Sequence, residues 1–366
     1  MMNNRYVAYQ DIHNLMASHI KKTGEPCSFH EALQETISKK MYTTQKNVLK
    51  KRMNLSEEEF LNCIAHTQID INYYNCTNHM YTDSRLIPSD LDVFAIKHLT
   101  YKEQVIHPHD CFDIHYVYSG KACLIFEEEV KLLSKGEICI MAPHSKYRIY
   151  TEDDESVVMT IYIRNSSFEQ LFFDAFTKYD LISIFIRNVL HDSKGLSNYL
   201  LFQSENTNDM REIIQNIYIE TNYKDSYSNQ AVIEHTHLLF ITILRNFKLV
   251  HSYKIFQNKK NDLFFEIVEY VQKNYQTVSM KELATKFHYN ESYLSTLFIK
   301  YLGMNFTTII SQFKIDHAKS LLSETILPIN EISDIVGYHN VDHFSRTFKK
   351  VNRCSPSEYR KKNRRC

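Results

Sequence analysis

Residues 336–360, VGYHNVDHFSRTFKKVNRCSPSEYR, decide the fold of the C-terminal third of the chain. Gly337 permits a left-handed turn and Asn340 can cap a helix. Val341, Phe344, Phe348 and Val351 then recur at helical spacing and predict a buried stripe. With that stripe inward, Asp342, His343, Arg346, Thr347, Lys349 and Lys350 face solvent or a polyanion. Ser355, Pro356 and Glu358 start a closing helix, with proline at its first position, and the KKNRRC tail adds positive charge.

The same pattern occurs about fifty residues earlier. Glu282, Leu283, Phe287, Leu294, Ser295, Phe298 and Lys300 match Glu331, Ile332, Val336, Phe344, Ser345, Phe348 and Lys350, with one extra residue in the second turn. Ser279 and Glu282 have the spacing of a capping box, and His288 and Tyr289 fit a tight turn. Asn290 can cap a second helix whose apolar positions, Leu294, Leu297, Phe298 and Tyr301, leave Glu291, Ser292, Ser295, Thr296, Ile299 and Lys300 outside; Gly303 can stop it. A short helix, a tight turn and a longer helix with a polar outer face predict a helix-turn-helix, whose second helix enters a major groove. Residues 306–322, with apolar Phe306, Ile309, Ile310, Phe313, Ala318 and Leu321, predict a long helix joining the two units.

In ISDIVGYHNVDHFSRTFKK, SPSEYR and ELATKFHYNESYLSTLFIKYLGMNF, residues 262–360 resemble the DNA-binding domain of the AraC/XylS family of bacterial transcription regulators. The resemblance implies a DNA interface made by Ser292, Ser295, Thr296, Lys300, Asn340, Asp342, His343, Arg346, Thr347, Lys349 and Lys350. Two departures matter. Arg353 stands where the family usually has glycine, so either a non-glycine residue takes that turn or the turn is reshaped. Thr296 and Ile299 stand where relatives often carry basic residues, which implies weaker phosphate attraction or apolar contact with thymine methyls.

Charge is divided to match. Lys and Arg balance Asp and Glu at 43 each, but from Leu249 onward 18 basic residues face 11 acidic ones, a net of +7 offset by −7 in the rest. A basic domain on an acidic chain points to a polyanion partner, with a solvated face as the alternative. The eight cysteines are scattered, with no CxxC and no paired zinc spacing, as expected for reduced thiols in the cytosol. No signal-like N-terminus or membrane-length apolar run is present, so a cytoplasmic protein with no membrane partner is expected.

Upstream, residues 90–165 carry short alternating or apolar runs, DIHYVYSG, ACLIFEEE, GEICIMAP and VVMTIYIR, the texture of an antiparallel sandwich or barrel. HPHDCFDIHYVYSG places His107, His109, Asp113 and Gly120 at the spacing of a first cupin motif, and Gly136 to Pro143 resembles the second. Cupin enzymes use two histidines, an acidic residue and a later histidine to bind a divalent metal. Here Tyr147 occupies the later position and His144 is displaced. The resemblance therefore implies a sensory pocket around His107, His109, Asp113 and Tyr147, with no metal and no cofactor; a metal-dependent cupin enzyme with a basic tail is the alternative.

The expected fold class is multidomain α+β. It comprises a helical N-terminal extension (1–85), a cupin-like β-sandwich or barrel (86–165), a helical dimerisation segment (166–250) and an all-α double helix-turn-helix domain (251–366). Ser56 and Glu59 give a capping-box signal in the extension. Residues 249–261 read as a polar, basic linker. The apolar stripes of REIIQNIYIE and AVIEHTHLLFITILRNF predict a homodimer contact within 209–248, with plain intradomain core as the alternative. The expected function is a non-enzymatic transcription activator with three partners besides its own copy: promoter duplex DNA, a small-molecule effector and RNA polymerase.

Overall fold

The computed structural model describes residues 5–45, 55–71, 86–99, 108–151, 153–174, 188, 198–203, 208–223, 225–246, 248–252 and 263–363. It divides into two compact units, Met1–Ala175 with Leu190–Gln257, and Phe176–Val189 with Asn258–Cys366.

The first unit opens with helices α1 (Tyr9–Thr23), α2 (Phe29–Ser38) and α3 (Glu57–His66), and with strands β1 (Tyr6–Ala8) and β2 (Gln68–Asp70), which pair antiparallel. The Ser56–Glu59 box forms as expected: Ser56 N donates to the Glu59 carboxylate at 2.9 Å, and Glu59 N donates to Ser56 Oγ at 3.2 Å. Val7, Ile12, Met16, Ala32, Leu33 and Ile71 make a small core of their own.

Two antiparallel sheets follow. The larger runs β11-β10-β7-β4-β9-β3, from β3 (Val93–Lys97), β4 (Phe112–Ser119), β7 (Ile138–Met141), β9 (Val157–Ile163), β10 (Tyr199–Gln203) and β11 (Lys248–Ser252). The smaller runs β6-β5-β8, from β5 (Lys121–Phe126), β6 (Glu129–Ser134) and β8 (Tyr147–Tyr150). Val117, Leu124, Phe126, Leu133, Met141 and Tyr199 lie in one buried cluster shared by both sheets, so this is a sandwich. The four runs singled out in the sequence are β4, β5, β7 and β9. Two strands correct the sequence reading: β10 lies in the stretch read as helical and β11 begins in it and runs into the one read as linker. A four-residue apolar run such as Tyr199–Phe202 fits either period, and here pairing with β7 decides for the strand.

The outer face of the large sheet is covered by helices α4 (Asn165–Asp174), α5 (Asn208–Asn222) and α6 (Ser228–Asn246). Phe112 of β4 stacks on Phe168 at 3.6 Å, and Phe168 meets Phe240 edge-on at 5.7 Å. Helix α5 is buried nearly all round along its second half, as the intradomain-core alternative for this stretch expects. Its surplus apolar surface is covered within the chain. Phe60 sits 5.5 Å from the Tyr218 ring, Tyr218 Oη donates to Thr67 at 2.8 Å, and Tyr223 Oη donates to the Cys63 carbonyl at 2.9 Å. Arg211 binds Glu57 at 2.5 Å while lying 4.4 Å over Tyr118. The N-terminal extension thus covers this part of α5.

Among its described residues the second unit has helices and no strand: α7 (Phe264–Asn274), α8 (Met280–Lys286), α9 (Glu291–Leu302), α10 (Phe306–Glu324), α11 (Ile329–Ile335), α12 (Val341–Asn352) and α13 (Pro356–Asn363). The repeat read in the sequence is a repeat in space. Phe287 and Val336 are the C-caps of α8 and α11, and Asn290 and Asn340 are the N-caps of α9 and α12. Gly303 and Arg353 end those longer helices at φ 69° and 58°. Arg353 therefore takes the left-handed turn itself, and its N–H reaches the Lys349 carbonyl at 2.8 Å. Ser279 caps α8, but the box is half-formed, because the Glu282 carboxylate accepts from Tyr270 Oη at 2.7 Å instead of returning to Ser279 N. Around the joining helix α10, Ile315, Ala318 and Leu322 pack with Ile332, Val336, Phe344 and Phe348. Among the described residues, no helix is long and apolar enough to cross a membrane.

Candidate functional site

Two sites follow from this architecture, one on each unit. On the second unit, α12 is held by buried Phe344 and Phe348 and started by Asn340, whose Oδ1 accepts from Asp342 N and His343 N at 2.9 Å each. Asp342, His343, Arg346, Lys349 and Lys350 are exposed, as their spacing predicts. The stripe is narrower than expected: Val341 and Val351 are 38% and 40% exposed, since the first and last turns of α12 project beyond the core. Arg346 Nε donates to the Asp342 carbonyl at 3.3 Å, which orients the guanidinium along the helix with its other donors outward. Thr347 is half-buried and its hydroxyl donates to the His343 carbonyl, so it offers an oxygen and a methyl more than a donor.

Helix α9 repeats this arrangement more weakly. Ser292, Thr296, Ile299 and Lys300 are exposed and Ser295 is half-buried. Thr296 Oγ1 donates to the Ser292 carbonyl at 3.1 Å, and Lys300 Nζ turns back to Tyr301 Oη at 3.0 Å. The exposed, apolar Ile299 thus stands on the same stripe as Ser292 and Thr296. All eleven residues expected at the interface lie on α9, on α12 or at the start of α12; Asn340 serves as its cap.

On the first unit, β4, the segment leading into it and β8 bring together Asp113, His109 and Tyr147, all buried. His107 lies outside the described residues. His109 Nδ1 meets Asp113 Oδ2 at 2.5 Å, Tyr147 Oη donates to the same oxygen, and Cys111 Sγ donates to Oδ1 at 3.3 Å. The displaced His144 is exposed and takes no part. His115 was not singled out by sequence reasoning, yet its ring bridges Tyr147 Oη at 2.9 Å and Thr160 Oγ1 at 3.0 Å. The signal was present: the two-residue period of a strand puts His115 on the same face as Asp113.

The nitrogen, sulfur and oxygen of His109, Cys111 and Asp113 lie within 4.8 Å of one another, a set suited to a borderline metal ion. The donor chemistry favours a hydrogen-bonded cluster instead. Both Asp113 oxygens already accept from these neighbours, and the residue in the later cupin position is a phenol whose pKa is pushed well above its usual range by burial and by Asp113. Tyr147 is therefore a neutral donor. Burial opposes ionisation of Asp113, but the charge and hydrogen bond of His109, with the Tyr147 hydrogen bond, outweigh it and hold the carboxyl below its ordinary value.

Burial pushes His115 down to about 4, against the opposing attraction of Asp113. An unfolded histidine titrates at about 6.5, so the folded unit binds fewer protons between those values. The stabilisation is complete above the unfolded value and is lost as pH falls through this window, by up to about 3 kcal/mol. Denaturant titrations of the first unit's transition should show unfolding free energy falling between pH 6.5 and 4, and His115→Asn should flatten that slope by close to one proton.

Two family patterns match the chain: "Helix-turn-helix domain" over residues 283–362 and "AraC-like ligand binding domain" over residues 94–193. The uncharacterized HTH-type transcriptional regulator YtdP of Bacillus subtilis is 36% identical over 87 residues, 24% of this chain and 11% of YtdP. RafR, the raffinose operon transcriptional regulatory protein of Pediococcus pentosaceus, is 25% identical over 273 residues, 73% of this chain and 90% of RafR. The lactose operon transcription activator of Staphylococcus xylosus is 29% identical over 181 residues, 46% of this chain and 64% of that protein. Against curated relatives matched at 30% to 36% identity, the chain spans only 11% to 54% of their length.

Proposed function

We propose that the chain, which matches a helix-turn-helix domain and an AraC-like ligand binding domain, is a transcription regulator of the AraC/XylS family: a sequence-specific duplex-DNA-binding activator switched by a small molecule. The observation that carries this reading is α12: a capped helix anchored by two buried phenylalanines, with an arginine and two lysines on its exposed face. Arg346 reads a base edge, Lys349 and Lys350 meet phosphates, and α9 reads a neighbouring segment about 34 Å away. The sensor cluster His109, Asp113 and Tyr147 responds to the effector, with His107 as the further motif position.

RafR and the lactose operon activator are named for sugar operons, which supports a carbohydrate effector and an activating role with an RNA polymerase contact. Such a protein acts in the cytoplasm. The rival, a metal-dependent cupin enzyme, needs an open ligand set, whereas here the metal-capable side chains are buried and bonded to one another.

The test is a titration against a selected duplex and its single-base variants at several salt concentrations. Arg346→Ala should cost about 1–3 kcal/mol and relax preference at one base pair. Lys350→Ala should weaken all sequences alike and make the logarithmic salt slope shallower by about 0.9. Uniform weakening by Arg346→Ala would reduce its role to charge alone and sink the base-reading assignment.

A further inference from the structure

We propose that α9 recognises thymine, by contact of the Thr296 and Ile299 side chains with the thymine methyl group, so that α9 and α12 read chemically unlike halves of one site. The inference rests on the reading of both as major-groove helices. The two can be compared position by position, because each has 12 residues, starts at an asparagine cap and ends on a left-handed residue. Setting Glu291 on Val341 puts Ser292 on Asp342, Thr296 on Arg346, Ile299 on Lys349 and Lys300 on Lys350.

These exchanges strip α9 of free donors and cations and leave methyl groups in their place. Where α12 has its guanidinium, α9 has Thr296, whose hydroxyl donates to the Ser292 carbonyl at 3.1 Å; what it offers outward is a methyl and an oxygen lone pair. Where α12 has Lys349, α9 has Ile299, 55% exposed. Lys300 is drawn back, with Nζ donating to Tyr301 Oη at 3.0 Å and lying 4.6 Å over that ring. Tyr293, beside Ser292, is stacked on Tyr289 at 6.0 Å. A single exposed isoleucine is ordinary on any surface. This one stands at a position that carries a cation in the repeat.

Among base edges in the major groove, thymine alone presents a methyl group. That methyl lies at the margin of the groove, beside the backbone of its own strand. A side chain at a phosphate-facing position, such as Lys349 in α12, reaches this margin, so an isoleucine there meets the methyl instead of the phosphate. Thr296, one turn earlier, brings a second methyl to the same place. The other three bases show only donors and acceptors, which Ile299 would desolvate without return. With Arg346, Lys349 and Lys350 on its exposed face, α12 supplies the salt-dependent affinity, and α9 adds a test for methyl groups about 34 Å away.

The experiment titrates the full chain against its selected duplex with thymines replaced one at a time by deoxyuridine, which exchanges the methyl for hydrogen. At one or two thymines wild-type binding should weaken about fourfold, the worth of one buried methyl. Thr296→Ser and Ile299→Ala should each bind the thymine duplex more weakly and lose the response to deoxyuridine at those positions. A 5-methylcytosine·guanine pair in the same place should bind more tightly than cytosine·guanine. Indifference of wild type to deoxyuridine at every thymine would overturn the proposal, and so would variants that keep the full deoxyuridine penalty. Arg346→Ala is read at a different base pair, so a failed assignment on α12 leaves the methyl result standing, and a failed methyl test leaves duplex binding intact. A wild type that prefers no duplex would overturn both.

Discussion

An Asp113→Ala protein is expected to lose about 3–5 kcal/mol from the unfolding free energy of its first unit, the cost of stripping a buried polar cluster of its shared acceptor. Three donors converge on this one carboxylate: His109 Nδ1, Tyr147 Oη and Cys111 Sγ. None of the three side chains can turn to water, since all are buried with it, and the truncation also leaves a void. Asp113→Asn keeps the volume but presents an amide that donates as well as accepts, so it should fall between wild type and alanine. Because the helix-turn-helix region forms a separate compact unit, a thermal scan should show the first unit's transition lowered and the second unit's nearly unmoved. Basal duplex affinity should change little while effector response is lost. A single transition lowered as a whole would mean that the two units unfold together.

The second unit was legible in the sequence almost residue by residue. Its helices are short, amphipathic and locally capped, so three-residue and four-residue spacing fixes what faces inward, and Asn290, Asn340, Gly303 and Gly337 mark the boundaries by local chemistry. Even the departure at Arg353 resolves locally, as a left-handed cap at φ 58°. What failed there was extent: Val341 and Val351 continue the stripe in sequence but lie beyond the reach of the α10 and α11 side chains.

The first unit was less legible because its decisive contacts are remote. Strand β10 pairs with β7 some sixty residues away, and β11 is a strand through its pairing with β10. Nothing local distinguishes YLLFQ from a turn of buried helix. The apolar surplus of α5 was real, but sequence alone does not say that Phe60, Cys63 and Thr67 cover it. In the sensor cluster, motif spacing found His109, Asp113 and Tyr147 but missed His115 and Thr160, because the motif encodes metal ligands and this chain has built a hydrogen-bond network on the same strands.

Gly337→Ala should destabilise the second unit by about 2–4 kcal/mol, and the internal repeat explains why glycine is required at that place. The equivalent turn residue in the first helix-turn-helix is His288, and both are left-handed, at φ 57° for His288 and 83° for Gly337. The left-handed conformation alone costs a side chain about 1–2 kcal/mol, which the first turn evidently tolerates. The difference is the neighbourhood. His288 is exposed, whereas a Cβ at position 337 would collide with the Gln276 carbonyl oxygen and stand 3.2 Å from its carbon and 3.0 Å from Lys314 Nζ. These neighbours, in the same unit, clamp the second turn against the end of α7 and against α10: Lys314 Nζ donates to the Gly337 carbonyl at 2.5 Å and Gln276 Nε2 donates to the Ile335 carbonyl at 3.0 Å. The lysine tip can move, but the backbone of residue 276 can yield only by shifting the end of α7, which adds a packing cost of about 1–3 kcal/mol. His288→Gly is the control, removing the same backbone strain where nothing crowds it, and should be neutral or mildly stabilising. Equal destabilisation by His288→Gly and Gly337→Ala in urea titrations would show that backbone conformation alone, and not the approach of Gln276, governs both turns.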